Sequence, residues 1–184
     1  MNLVTVRQSF PSVRLTGTDI SETALDQAGR LLPDVPLHRL DATQDMVAGQ
    51  YDVVLSLDVV EHIEDDVALM RNLYRASKKY VVISTLQGRM RDFERAIGHV
   101  RNYRPGELQA KLTSVGFEIE ETIEWGWPLF SPLFRDFLAR CGGQRQTFGS
   151  YGPAKILASK VIYWLFRLNS SRRGDMLFVV GSRK

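Results

Sequence analysis

The sequence predicts an α/β fold in which helices cover both faces of a doubly wound, mostly parallel sheet. Apolar runs typical of strands alternate with amphipathic helical stretches along most of the chain. Such alternation implies parallel pairing of the strands through right-handed crossovers. The 184 residues, 44% apolar and 24% charged, are enough for one domain with a real core. We therefore predict a single three-layer domain over residues 1–184.

The first third of the chain contains three predicted strands. Residues 13–19 alternate in polarity, and residues 36–41 form a short second candidate. Between them Ser21 is typical of a helix N-cap, and Pro33 ends that helix. Residues 51–57 are mostly apolar, which indicates a strand covered on both faces.

The middle and the end of the chain continue the alternation. Apolar residues at spacings of 3, 4, 3 and 4 predict one stripe of an amphipathic helix over residues 60–74. Residues 78–85 predict a buried strand, and residues 117–125 a strand with one solvated face. Pro105 and Gly116 suit the two ends of a helix between them. The last predicted strand is 176–182.

Residues 126–175 interrupt this rhythm and are predicted to be an aromatic and basic helical insertion. From residue 135 onward the chain has ten basic and two acidic residues. The apolar stretch 155–168 is too short to span a bilayer. It could be a core helix, a substrate lid, a homodimer contact or a membrane-surface helix. The single cysteine, Cys141, excludes a disulfide within the chain and is expected to be a bystander. No charged and apolar leader is visible, so we expect a cytoplasmic protein.

Acidic residues follow three of the predicted strands, at Asp19, Asp41 and Asp58. In open α/β sheets ligands bind beyond the carboxyl ends of the strands, and an acid there can accept hydrogen bonds from both ribose hydroxyls. An acid before a helix can also simply cap it. Acids at neighbouring strand ends favour a nucleoside pocket.

The succession LTGTDIS, LDAT, DVVLSLDVVEHIEDD and GHVRNYRPGEL resembles the class I, S-adenosylmethionine-dependent methyltransferases. The resemblance covers roughly residues 13–121. It implies S-adenosylmethionine as the cofactor, with Asp19 on the ribose, and a last strand that runs antiparallel to the others. The residues that it implies for cofactor binding are Asp19, Ile20, Asp41, Ala42, Leu57 and Asp58.

Two histidines are the candidate catalytic residues. His99 lies in the stretch that resembles the family's loop after the fifth strand, and is the candidate base if the methyl acceptor arrives protonated. His62 follows Glu61 in what is predicted to be the first turn of a helix, where it could contact substrate or only pack. A metal site built from Asp58, Glu61 and His62 is conceivable, but the sequence is interpreted as having none.

The sequence departs from the pattern of this family at its start, because Gly17 is the only glycine among the first 18 residues. The family's glycine-rich cofactor loop and its first, central strand are therefore expected to be missing. We predict methyl transfer, impaired by this truncation, to a small-molecule or lipid-like acceptor, and no motif indicates nucleic acid. The alternatives are a non-catalytic protein that keeps the fold for interaction or regulation, and a membrane-surface lipid-modifying enzyme that uses residues 126–170.

Overall fold

The computed structural model describes residues 2–45, 49–140 and 152–184. Within these ranges strands and helices mostly alternate over the first 125 residues, as the sequence predicts. The strands are β1 (Gly17–Asp19), β2 (Leu37–Arg39), β3 (Tyr51–Leu57), β4 (Ser77–Leu86), β5 (Phe117–Trp125) and β6 (Met176–Arg183). The helices are α1 (Asn2–Ser9), α2 (Glu22–Leu31), α3 (Asp66–Ala76), α4 (Asp92–Ala96), α5 (Glu107–Ser114), α6 (Arg135–Arg140) and α7 (Pro153–Phe166).

The strands form two sheets. β1 and β2 pair in parallel as a two-stranded sheet, and the larger sheet has the order β3-β4-β6-β5. β3 is parallel to β4, whereas β6 is antiparallel to both β4 and β5. The predicted α/β class is therefore confirmed, and so is the antiparallel last strand.

Among the described residues no strand joins the two sheets, because β1 pairs only with β2 and β3 only with β4. The prediction that residues 51–57 are covered on both faces is wrong. Val53 and Leu55, which share one face of β3, are 47% and 42% exposed. Since β3 is the edge strand of its sheet, this face of the strand has too few neighbours to be covered.

The core lies on the other side, between the larger sheet and helices α3 and α5. The centre of β4 is buried as predicted, with Val81 and Ile83 fully inaccessible. The buried core cluster consists of Val60, Leu69, Met70, Val81, Ile83, Tyr103, Leu108, Leu112, Phe117, Leu177 and Val179. This cluster holds β4, β5 and β6 against α3 and α5.

The predicted helix over residues 60–74 is broken, which corrects the placement of Glu61 and His62. Val60–His62 forms a separate 3₁₀ turn, and α3 begins only at Asp66. Ile63 is extended, with ψ 122°, and the Asp65 carboxylate caps α3 by accepting from the Ala68 N–H at 2.9 Å. The apolar stripe continues through the break, because the short turn keeps Val60 on the core side.

The predicted ends of the other helices hold with small shifts. The Ser21 hydroxyl accepts from the Ala24 N–H and caps α2, as predicted. Pro105 lies just before α5 and not in its first turn, because Gly106, at φ 81°, is the N-cap. Gly116 follows α5 with φ 113°, a conformation that favours glycine. β1 covers only the last three residues of the predicted strand 13–19.

The predicted insertion consists of an irregular helical segment, Leu129–Phe134, followed by α6 and α7. Trp125, Phe130, Phe134 and Phe166 pack their rings together with centroid distances of 5.2–6.3 Å. The opposite side of α7 is open to solvent, and Trp164 is 66% exposed. No helix in the described ranges is long and apolar enough to cross a membrane. Cys141 lies outside the described residues.

Candidate active site at the carboxyl edge of the sheet

Asp19 ends β1, where its exposed carboxylate shapes the entry to α2. Its Oδ1 atom accepts from the Ser21 N–H at 2.8 Å, and its carbonyl accepts from the Leu40 N–H at 3.0 Å. Among the described residues, no donor binds Oδ2. One carboxylate oxygen is thus held in place while the other is available to a ligand. The neighbouring Ile20 is 61% exposed, as a residue at an open ligand edge can be.

Asp41 follows β2 and is committed to a local turn. Its Oδ1 atom accepts from the Thr43 hydroxyl at 2.7 Å and from the Thr43 N–H at 3.0 Å, and Oδ2 accepts from Gln44 at 3.0 Å. The hydrogen bond from the Thr43 hydroxyl is the main reason that the pKa of Asp41 lies below its ordinary value. Ala42 packs against the core, and its carbonyl accepts from Asn72 at 3.0 Å. Asp41 therefore positions the loop, and its Oδ2 atom keeps room for a further hydrogen bond from a ligand.

Leu57 ends β3, and Asp58 follows it in an unusual backbone conformation. Asp58 has φ 55°, the only described residue other than glycine with a positive φ, and such strain clusters at functional sites. The Asp58 N–H donates to the Ser84 carbonyl at 3.0 Å, and Oδ1 accepts from the Ser84 hydroxyl at 2.9 Å. These bonds hold the end of β3 against the end of β4.

Glu61, His62 and His99 lie together beyond the ends of β3 and β4. The two imidazole rings meet edge to face with centroids 4.6 Å apart. His62 is exposed, and its Nδ1 atom lies 3.0 Å from the Gly98 carbonyl. His99 is half-buried, and its buried Nδ1 has no hydrogen-bond partner among the described residues. The sequence predicts both histidines as site residues, and the structure brings them together.

The ionisation of these groups follows from their burial. Glu61 is 2% exposed, and burial is the main reason that its pKa is raised. Its Oε2 atom accepts from the buried Thr85 hydroxyl at 2.9 Å. Burial, followed by the proximity of His62, lowers the pKa of His99.

A buried ion network, which the sequence reasoning missed, connects the insertion to this edge. Glu94 is fully buried and binds the Arg135 guanidinium, which also donates to Asp175 at 2.6 Å. Arg91, also buried, donates to Asp136 at 2.7 Å. Arg135 lies 41 residues from Glu94 along the chain, and no local pattern indicates such a pair. The network fixes α6 over the loops that follow β4.

Comparisons with known proteins agree with this architecture. Residues 1–80 match the family model described as a methyltransferase domain, and no curated protein sequence matches the chain. The O-methyltransferase domain of StiE is 19% identical, with a TM-score of 0.60, and the match covers 100% of this chain and 64% of that one. Magnesium protoporphyrin IX methyltransferase from Synechocystis PCC 6803, solved with bound S-adenosylmethionine, is 16% identical, with a TM-score of 0.55 and coverages of 98% and 64%. The [4+2]-cyclase SpnF is 16% identical, with a TM-score of 0.58 and coverages of 94% and 67%.

These similarities define the fold of the chain as that of the class I methyltransferases. The chain spans less than two thirds of the length of the two methyltransferase structures named above. At 16–19% identity the likeness concerns the fold alone.

Proposed function

We propose that this chain is an S-adenosylmethionine-dependent methyltransferase domain that acts on a small-molecule acceptor. The observation that carries the proposal is the set of acids at the ends of β1, β2 and β3, on a class I methyltransferase fold. Ligands of open α/β sheets bind at this edge. The family model over residues 1–80 and the methyltransferase structures with this fold support the assignment.

The residues on the cofactor side have chemistry that suits the group. Asp19 Oδ2 would accept hydrogen bonds from the ribose, because Oδ1 is already held by Ser21. Ile20 and Ala42 supply apolar contact beside the nucleoside, and Leu57 and Asp58 border the amino-acid end. When bound, S-adenosylmethionine supplies an activated methyl group, so that positioning of the acceptor and exclusion of water provide most of the remaining catalysis.

His62 and His99 are the proposed catalytic residues on the acceptor side. They follow β3 and β4, the two strands whose ends are tied together through Asp58 and Ser84. The imidazole nitrogens can orient an acceptor or take its proton. The structure of Synechocystis magnesium protoporphyrin IX methyltransferase supports a small-molecule acceptor as the class.

Calorimetry with S-adenosylmethionine and S-adenosylhomocysteine tests the cofactor assignment. Asp19→Ala should weaken binding about 10- to 150-fold, the equivalent of about 1.5–3 kcal/mol for a hydrogen bond to a charged group. Asp19→Asn keeps an acceptor for the Ser21 N–H and checks that the loss does not come from misfolding. Asp26→Ala, an exposed acid of α2 away from the strand end, is the matched control. Equal affinities for the Asp19 and Asp26 variants would overturn the role of Asp19.

The alternative is a non-catalytic protein that uses the methyltransferase fold for interaction or regulation. It is favoured by Asp41, whose carboxylate accepts three hydrogen bonds within its own turn and so has fewer acceptor positions left for a nucleoside. The likeness to the [4+2]-cyclase SpnF also shows that this fold carries other functions. Absence of binding at millimolar S-adenosylmethionine by a folded sample would favour this alternative.

The second candidate function uses the insertion. It would act on a lipid-like acceptor or make a homodimer or membrane contact there. The observation behind it is the open face of α7, where Leu157 and Trp164 are 65% and 66% exposed. Flotation with vesicles that contain anionic lipid should recover the wild type and less of Trp164→Ser. Recovery of neither protein would leave the soluble acceptor as the better assignment, and equal recovery of both would show that Trp164 is not part of the membrane contact.

A further inference from the structure

Glu61 differs from the other buried acids of the described residues in its lack of a cation. Asp66 binds Lys111 at 2.7 Å, and Glu94 binds Arg135. No Lys, Arg or His in the described ranges forms an ion pair with Glu61, although only 2% of the residue is exposed. A buried carboxylate is costly to keep ionised unless it is paired with a cation or coordinates a metal.

Two imidazoles surround this carboxylate where a cation would be expected. One potential ligand atom from each of Glu61, His62 and His99 lies within 4.8 Å of the others. Ligand atoms of one tetrahedral zinc ion lie about 3.4 Å apart, because each bond is about 2.1 Å long. Side-chain rotations that close the separations by up to about 1.4 Å would therefore bring the three atoms to bonding distance.

The surroundings of the three side chains are those that metal ligands need. The carbonyl of Gly98 accepts from His62 Nδ1–H, which leaves Nε2 unprotonated and available for coordination. Thr85 donates to one oxygen of the Glu61 carboxylate and orients it. His99 contributes a buried, unpartnered nitrogen. Backbone bonds hold the two segments together, since the Glu61 carbonyl accepts from the Val100 N–H at 2.8 Å.

We propose that Glu61, His62 and His99 form a binding site for one divalent transition-metal ion of the zinc type. Two imidazole nitrogens and one carboxylate oxygen are a ligand set found for such ions, and they leave coordination positions open. Asp58 is one of the three metal ligands considered in the sequence analysis. Its carboxylate accepts from the Ser84 hydroxyl, and it is not among the three ligands proposed here. An ion held here would occupy the nitrogens of His62 and His99. Their contribution to catalysis would then be to hold the ion and not to transfer a proton.

Titration of the metal-free protein with Co²⁺ is a direct test, because bound Co²⁺ absorbs visible light according to its ligands. Wild type should bind one ion per chain, and Zn²⁺ should displace it. His62→Gln and His99→Gln should each weaken Co²⁺ binding at least about 10-fold. His38→Gln is the matched control, because His38 is the third histidine of the chain and is exposed on β2. Binding that is equal in all three variants, or absent from the wild type, would overturn the site.

Thermal unfolding separates the metal site from a structural role of these residues. Zn²⁺ should raise the melting temperature of wild type and of His38→Gln, and it should leave that of His62→Gln and His99→Gln unchanged. Glu61→Gln should likewise lose the response to Zn²⁺ while the protein stays folded. A full response in Glu61→Gln would overturn the role of the carboxylate. These measurements need no S-adenosylmethionine, so their failure and that of the proposed methyl transfer are distinguishable.

Discussion

Removal of the charge of Asp66 should destabilise the protein far more than the same change at its neighbour. Asp66 is 4% exposed and accepts from the Tyr103 hydroxyl at 2.8 Å. Lys111 and Arg101 pair with it at 2.7 and 3.1 Å. Loss of one partner of a buried pair costs about 3–5 kcal/mol, but these two cations are 26% and 22% exposed and can turn to water. We therefore expect Asp66→Asn to lower the free energy of unfolding by about 2–4 kcal/mol.

Asp65→Asn is the matched control. Asp65 is exposed and caps α3 through the Ala68 N–H, and asparagine caps about as well as aspartate. Urea denaturation followed by circular dichroism gives both free energies, with m-values to check that unfolding remains two-state. A difference below about 0.5 kcal/mol between the two variants, the usual range for surface substitutions, would refute the importance of the Asp66 pairs.

Three further perturbations test the ion pairs and the insertion. Burial lowers the pKa of the Lys111 ammonium, but its hydrogen bonds to Asp66 and Glu107 outweigh burial and raise this pKa above its ordinary value. The contribution of Lys111 to stability is therefore present below pH 10.5 and is lost as the pH rises through the folded-state pKa. Lys111→Met should flatten this alkaline loss of unfolding free energy, and an unchanged profile would contradict the reasoning. Arg135→Met should cost about 3 kcal/mol in urea denaturation because it leaves Glu94 buried without its closest cation, and a loss below about 1 kcal/mol would show that the pair is dispensable. Trp164→Ser should change the free energy of unfolding by less than about 0.5 kcal/mol because the residue is 66% exposed, and a loss of 2 kcal/mol would show that α7 packs this ring.

The fold class could be predicted because it depends on local hydrophobic patterns. The runs that became β3, β4 and β5 are long enough to show their period, and Ser21 marks the start of α2 by its own hydrogen bond. The antiparallel β6 came from the resemblance, since no local pattern fixes the direction of a strand. The open face of β3 could not be read from its sequence, because Val53 and Leu55 look the same whether or not a neighbouring layer covers them.

The candidate site was predicted in part, for similar reasons. Strand ends indicate Asp19, Asp41 and Asp58, but not that the Asp41 carboxylate accepts three hydrogen bonds within its own turn. The break between His62 and α3 depends on Arg101, which donates to the carbonyls of Ile63 and Glu64 from 37 or 38 residues away. Such long-range bonds leave no periodic signal in the sequence.

The same long-range bonds connect the stability of the fold to the proposed metal site. Arg101 follows His99 by two residues, pairs with Asp66, and binds the carbonyls just after the turn that carries Glu61 and His62. Asp66→Asn should therefore loosen the segment that brings His99 to the other two ligands, although it replaces no ligand. We expect Co²⁺ affinity to fall several-fold in folded Asp66→Asn and to stay unchanged in Asp65→Asn, measured by absorbance at a temperature where both variants are folded. An unchanged affinity in Asp66→Asn would show that the Glu61 and Val100 backbone bond alone holds the ligands together.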